Sequence, residues 1–501
     1  MNTKTVVITG NDLTIEEFVK IARHRCKVVL SKDAEQRITK CRTVVEDLVE
    51  KDEVVYGLTT GFGSLANVKI SQEDTELLQK NLAMSHAAGV GKPFQEEYVR
   101  GAILLRINTF AKGYSGIRLQ TVNMLVEMLN RNVFPFVPEK GSVGSSGDLA
   151  PLSHIIIVML GMGECIVSKK RVSAKYALNK AGLKPIVLSS KEGLALNNGT
   201  PVMTSIAAFA IHEAEKLFEC NLLSATMSIA ALKSNSSFLF RGVHDVRPHV
   251  GQKFVAKKMR EFLSDSELMD SIKSKVQDAY SVRGTPVVMG ASLDAINYAK
   301  EKVLIEMNSA TDNPLIFGNK AYSAANFHGQ PIGLAMDFLA IAVSELGNIA
   351  DRRIFKMLDC NSSDGLPAFL INGSGLNNGL MISQYTTAAL VSENKILCHP
   401  SSVDSIPTCA NQEDHVSMAT TAARKVMDVI SNTRKVIAIE FLAAAQAIDL
   451  RKEFAGEKIM EVQKIIRKKI QFIKEDRVLY YDIEKMEEMI MKNELRTEET
   501  K

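Results

Sequence analysis

Apolar residues recur at intervals of three and four over three long stretches of the chain. After Pro201 they are Met203, Ile206, Ala207, Ala210, Ala214 and Leu217; after Pro331, Leu334, Phe338, Ile341 and Ile349; after His415, Ala419, Ala422, Val426 and Val429. Such spacing draws one apolar stripe along a helix. Each pattern persists for about 30 residues, which at 1.5 Å per residue is on the order of 45 Å, and long helices with inward stripes imply a bundle. Beyond Pro407 no proline remains and Gly456 is the only glycine, so the C-terminal region is expected to be nearly all helix. Thr14 and Glu17 have capping-box spacing and start an earlier helix. Strand patterns are minor: "TVVITG" near the start, "CIVSKKRVSA" with "KPIVLS", and "NPLIFGNKAYS" with a turn at Gly318-Asn319. The expected fold is mainly α. A long central helical bundle over 201–501 accompanies a smaller N-terminal α-rich region over 1–200 with minor β-hairpins, together one continuous structural unit.

Composition narrows the function. The 501 residues could make about three average domains, yet 46% hydrophobic content could equally fill one large core. With 61 basic against 57 acidic side chains the formal charge is +4. Neither that balance nor any alternation of aromatics with Lys and Arg gives the basic field of a nucleic-acid binder. The N-terminal stretch lacks the basic end, apolar middle and cleavage site of a signal peptide. The longest pure apolar run, Ile155 to Gly163, falls short of the roughly 20 residues of a membrane span. A soluble cytoplasmic protein is expected. Seven cysteines without C-x-x-C, and nine histidines without H-E-x-x-H, indicate neither a disulfide framework nor a metal site.

The segment "KGSVGSSGDLAPLSH", Lys140 to His154, carries candidate chemistry. It has no Gly-Lys-Ser/Thr for a phosphate loop and no G-x-G-x-x-G for a dinucleotide. Nor do Ser145 and Ser146 have the flanking glycines of a nucleophile elbow. A flexible connector is the plain alternative, but the apolar run "LAPLSHIIIVML" follows at once, reading as a buried helix start with Asp148 near its electropositive end. The remaining option uses the backbone. The amide nitrogen of Gly147 can close onto the carbonyl carbon of Ser145, making a five-membered ring around Ser146. Loss of the Ser146 hydroxyl then leaves an exocyclic methylene, a strong electrophile.

This stretch resembles the active-site loop of the aromatic amino acid ammonia-lyases, whose Ala-Ser-Gly forms 4-methylideneimidazole-5-one (MIO) autocatalytically. Ser145 stands where Ala is usual, and only its carbonyl enters the ring. The similarity extends along nearly the whole chain. "VYGLTTGFG" at 55–63 is similar to the family's tyrosine loop and implies Tyr56 as β-proton base; a phenol with a pKa near 10 would need its value lowered or its proton relayed away. "VQDAYSVRGTPVVMGA" resembles the segment that contributes Gln277, Tyr280 and Arg283, with Arg283 as the fork for a carboxylate. "LALNNGT" implies Asn198 as a holder of substrate or ring carbonyl, and "NFHGQP" implies Phe327 as a pocket wall. "EMNSATDNPLIF", "GLNNGLMISQYTTAALVSENK" and "SVDSIPTCANQEDHVSM" match as well.

Ser85-His86 in "NLAMSHAAGVG" and Glu413 in "NQEDHVSM" resemble the histidine branch of the family. Phenylalanine and tyrosine lyases usually place Phe-Leu or His-Leu at the first position. His86 and Glu413 can pair the donor and acceptor of an imidazole, either of which left unpaired in a dry pocket costs roughly 1–3 kcal/mol. The resemblance therefore implies deamination of L-histidine to trans-urocanate, with MIO from Ser145-Ser146-Gly147, no exogenous cofactor and no metal. It also implies a homotetramer whose active sites combine residues of neighbouring subunits. Gly284-Thr285-Pro286-Val287 departs from the usual Cys-Gln-Pro-Gln, Pro201 replaces a common Gln, and Ala324-Ala325 stand where glycines are frequent. Three alternatives remain: a tyrosine or phenylalanine lyase or aminomutase, a helical scaffold with an unmatured loop, and a fumarase-type eliminase. The last lacks the Met-Pro-x-Lys continuation after Ser146.

Overall fold

The computed structural model describes residues 5–495 apart from positions 52, 66, 69, 72, 73, 273, 274 and 374. Both ends of the sequence read above, residues 1–4 and 496–501, lie outside the described residues. All three striped segments are long helices: Pro201–Ala231, Gln330–Leu358 and Ala419–Leu450. Pro201 is the first residue of its helix, where a missing N–H costs nothing and a fixed φ helps. The fold is mainly helical, as expected. Gln330–Leu358 is long and apolar enough to cross a membrane by length and composition, but 72% of its most apolar window is buried inside the molecule, as in a core helix.

The chain divides into two compact units that interleave in sequence. The first comprises Met1–His212, Lys300–Asp337 and Pro400–Arg424. Its core surrounds the helix Glu96–Ala111, buried from Tyr98 to Ala111, with Phe18 and Tyr98 packed on Phe209 at ring distances of 5.1 and 5.5 Å. Thr14 caps the helix Ile15–Ala22 through a complete capping box with Glu17. Every strand among the described residues lies in this unit. Val6–Ile8 pairs parallel with Val28–Leu30, and antiparallel hairpins join Glu164–Val167 to Lys170–Ser173 and Leu315–Phe317 to Lys320–Tyr322. A buried ion pair, Lys191 to Asp312 at 3.2 Å, ties two distant segments together.

The second unit comprises Glu213–Ala299, Phe338–His399 and Lys425–Lys501. Inside it the three long helices are knitted by one buried carboxylate. Glu440 pairs with the fully buried Arg353 at 2.5 Å and accepts from Ser224 at 2.7 Å and Ser228 at 3.0 Å. A buried charge is tolerable only when its lone pairs are filled in this way.

Two local expectations need correction. "KPIVLS" is not a strand. Its backbone is spent on other partners: Ile186 N–H donates to Met159 O, Val187 O accepts from Arg118, and Ser189 N–H donates to Glu192. The C-terminal region is not nearly continuous helix either. Residues 408–418 are irregular, with Cys409, Ala410 and Asn411 all at positive φ. Residues 451–456 break where Arg451 spends its guanidinium on the carbonyls of Ala231, Ser363 and Asp364, and 468–479 break where Gln446 takes both backbone groups of Ile473. Asp148 stands at the start of the helix Leu149–Met159, as expected, but makes no side-chain cap to it. Its carboxylate accepts instead from the N–H groups of Val202 and Met203, both at 2.9 Å, and so caps the long Pro201 helix.

Candidate active site

The glycine-serine loop is built on backbone contacts that leave no room for side chains. Gly147 has φ +76° and forms a parallel bridge with Gly199; a Cβ on it would lie 2.0 Å from Gly199 O. Gly199 is confined equally, since its own Cβ would meet Arg106 Nη2 at 2.0 Å. Asp148 N–H donates to Gly199 O at 2.7 Å, and Asn198 Nδ2 donates to Ser146 O at 2.8 Å. Arg106 is fully buried and donates from Nη1 to the carbonyls of Ala195 and Asn198 at 2.9 and 3.0 Å. Burial pulls its pKa down to about 10, against the pull of Asp312 and Asp148. Asp148 is buried too; that pushes its carboxyl up, while donors from Thr420, Met203, Ser142 and Val202 hold it back. On the other flank Gly144 O accepts from Gly329 N–H and Ser417 Oγ, both at 2.9 Å.

A cavity of about 530 Å³ opens on this loop. Tyr56, His86, Ser146, Asn198 and Glu413 all line it, so five of the nominated residues meet at one place in the first unit. Leu82, Leu194 and Ile70 supply apolar wall. Glu413 is held by an antiparallel bridge with Thr408, whose N–H donates to Glu413 O at 2.8 Å. Its carboxylate accepts from Ser146 Oγ at 2.7 Å through Oε1 and from Ser145 Oγ through Oε2. His86 ends the helix Thr75–His86, with Nδ1 3.0 Å from Ser85 Oγ. Burial pushes its pKa down, opposed by a Leu82 backbone bond and the Glu413 charge. The neutral ring therefore prevails at pH 7. Tyr56 Oη accepts from Gly63 N–H at 3.1 Å. Burial pushes its pKa up despite that donor, and the Glu413 charge adds to the rise. This environment therefore does not supply the lowered pKa that a tyrosine base would use.

Other nominated residues do not line the cavity. Phe327 is half-buried in the first unit and does not line it. Gln277, Tyr280 and Arg283 belong to the second unit and do not line it. Tyr280 is 77% exposed, Gln277 is exposed, and Arg283 lies 4.5 Å from the Tyr280 ring with Nε donating to Asp278 O at 2.9 Å. Two residues went unnominated. Arg106 was signalled by a charge inside the apolar run "AILLRINTF", which marks a buried cation with backbone to bind. Cys409 lines the cavity through a left-handed backbone that nothing in its neighbours announces.

The pattern of the family described as aromatic amino acid lyase matches residues 13–468. The chain belongs to the aromatic amino acid lyase family. It is thus a carbon–nitrogen lyase. A histidine ammonia-lyase from Alkaliphilus oremlandii is 49% identical over 496 residues, covering 98% of each chain. The crystal structure of histidine ammonia-lyase from Trypanosoma cruzi superposes with a TM-score of 0.92 at 40% identity, over 98% of this chain and 94% of that one. Tyrosine aminomutase from Streptomyces globisporus superposes equally well, with a TM-score of 0.93 at 35% identity over 98% of both chains. The lyase fold accommodates more than one substrate, so the choice rests on side chains in the cavity.

Proposed function

We propose that this chain deaminates L-histidine to trans-urocanate and ammonia, the first step of histidine degradation, as a cytoplasmic homotetramer with MIO as its self-made electrophile. One observation carries the substrate choice. Glu413 and His86 line the cavity into which Ser146 projects, so the groups suited to an imidazole lie beside the reactive loop. Residues 145–147 fit the ring. Gly147 occupies a space that any Cβ would fill, its N–H has no acceptor among the described residues, and Asn198 already holds the Ser146 carbonyl. Once formed, MIO supplies an electrophilic methylidene carbon that activates the substrate for loss of its amine.

The chain's own side chains do the rest. Asn198 keeps its amide on the carbonyl of residue 146. Glu413 accepts the imidazole N–H, and neutral His86 pairs the ring's other edge. Tyr56 takes the β-proton once its own phenolic proton has been relayed to solvent, a loss that must come first because burial disfavours the phenolate. Arg283 clamps the substrate carboxylate in the cavity of a neighbouring subunit, where Gln277 also binds the substrate and Tyr280 is a catalytic residue, and Phe327 walls the same site in the tetramer.

The test is a panel of histidine, tyrosine and phenylalanine with purified protein, read by urocanate or cinnamate absorbance. Urocanate formation is expected; turnover of tyrosine but not histidine would defeat the assignment of His86 and Glu413. Intact mass tests the electrophile. Wild-type protein should weigh two waters less than its sequence and Ser146→Ala should not; active enzyme of unmodified mass would overturn MIO.

A further inference from the structure

Only the carbonyl of Ser145 is needed for the ring, so its hydroxyl calls for a separate explanation. That hydroxyl donates to Glu413 Oε2. Ser145 is 4% exposed and does not line the cavity, whereas Glu413 does. The serine thus grips the carboxylate from behind the wall. Oε2 also faces Thr408 Oγ1 at 3.4 Å, while Oε1 takes its bond from Ser146 on the cavity side.

Ring formation changes this clasp asymmetrically. The first water takes the Ser145 carbonyl oxygen with the N–H hydrogens of Ser146 and Gly147; the second takes the Ser146 hydroxyl with its α-hydrogen. Oε1 thereby loses its donor on the cavity side. Oε2 keeps the Ser145 hydroxyl, which no step consumes. We propose that Ser145 is a positioning residue: its hydroxyl holds Glu413 Oε2 so that Oε1, freed by maturation, stays aimed at the imidazole N–H of the substrate. This rests on the histidine reading above. It gives Ser145, where the family usually has Ala, a part in ring-end recognition.

The experiment compares wild type, Ser145→Ala and Ser145→Thr as full-length purified enzymes. Ser145→Ala should still lack two waters by intact mass, since its carbonyl is unchanged. Its KM for histidine should rise about tenfold, by a larger factor than kcat falls, and its dissociation constant for urocanate, measured by calorimetry, should rise in parallel. Ser145→Thr restores the hydroxyl and should recover most of both losses. Three results would overturn the proposal: unchanged KM and urocanate affinity in matured Ser145→Ala; an unmatured Ser145→Ala, which would place the hydroxyl in ring formation; or a threonine variant as weak as the alanine one, which would make the effect one of packing. Wild-type protein that yields no urocanate would instead sink the histidine reading itself.

Discussion

Glu413 brings the substrate question down to one side chain. Its two oxygens are acceptors only, and one is already engaged by Ser145. Replacing it with glutamine keeps the shape but removes the charge and turns one acceptor into a donor. An imidazole N–H directed there loses a charge-assisted bond, and in a partly dry cavity that loss is worth about 1–3 kcal/mol. For Glu413→Gln we expect kcat/KM for histidine to fall about 10- to 100-fold. Kinetics with histidine, checked against intact mass to confirm a matured loop, measure this; a wild-type kcat/KM would remove Glu413 from the ring end. His86 contributes differently, because burial keeps it neutral and able to offer one donor and one acceptor.

The glycine-serine loop depends on elements far from it in sequence, and Asp148 joins them. Its carboxylate accepts from two N–H groups opening the helix Pro201–Ala231, from Thr420 Oγ1 and from Ser142 Oγ at 3.0 Å. Asp148→Ala would strip the cap and strand buried donors, costing at least about 2 kcal/mol. A lower urea midpoint is the expected result, and an unchanged one would show that the cap is dispensable. How much of this was legible in the sequence depends on how local each cause is. The long helices are legible because every turn repeats the same apolar spacing. The loop is legible because three glycines and three serines have few other uses. Asp148 is legible as a residue at the start of its own helix, but its bonds to Val202 and Met203 are not, since nothing nearby in the sequence announces them. "KPIVLS" has strand composition, but Met159, Arg118 and Glu192 engage its backbone, and pairing is a property of distant backbone. Gln277, Tyr280 and Arg283 are nominated by resemblance alone, and none of them lines the cavity.

Across the whole molecule, buried histidines set an acid limit to stability. Burial pushes His86, His154 and His244 all below the ordinary histidine value of 6.5. His154 Nε2 accepts from Gly89 N–H at 3.2 Å, while His244 places Nε2 2.9 Å from Phe238 O, a bond that opposes the effect of burial, and Nδ1 3.0 Å from Gln252 Nε2. For groups whose folded pKa is depressed, the unfolded chain binds more protons as pH falls below about 6.5, so the stability present above that value is lost on acidification. Asp148 and Glu306 act with the opposite sign, because burial raises their carboxyl pKa values and their stabilising share is lost as pH rises through the folded values. A single melting curve therefore mixes the two. His244 belongs to the second unit, away from the cavity lining, and Asp245 and Arg260 act on it in opposite directions. Between pH 7.5 and 5.5, wild-type protein should lose thermal stability, and His244→Gln, which has no proton to take up there, should lose less. Melting temperatures of both proteins across that range test the point. Parallel curves would mean that the folded protein accepts the His244 proton as readily as the unfolded chain, and burial would then set no acid limit at that ring.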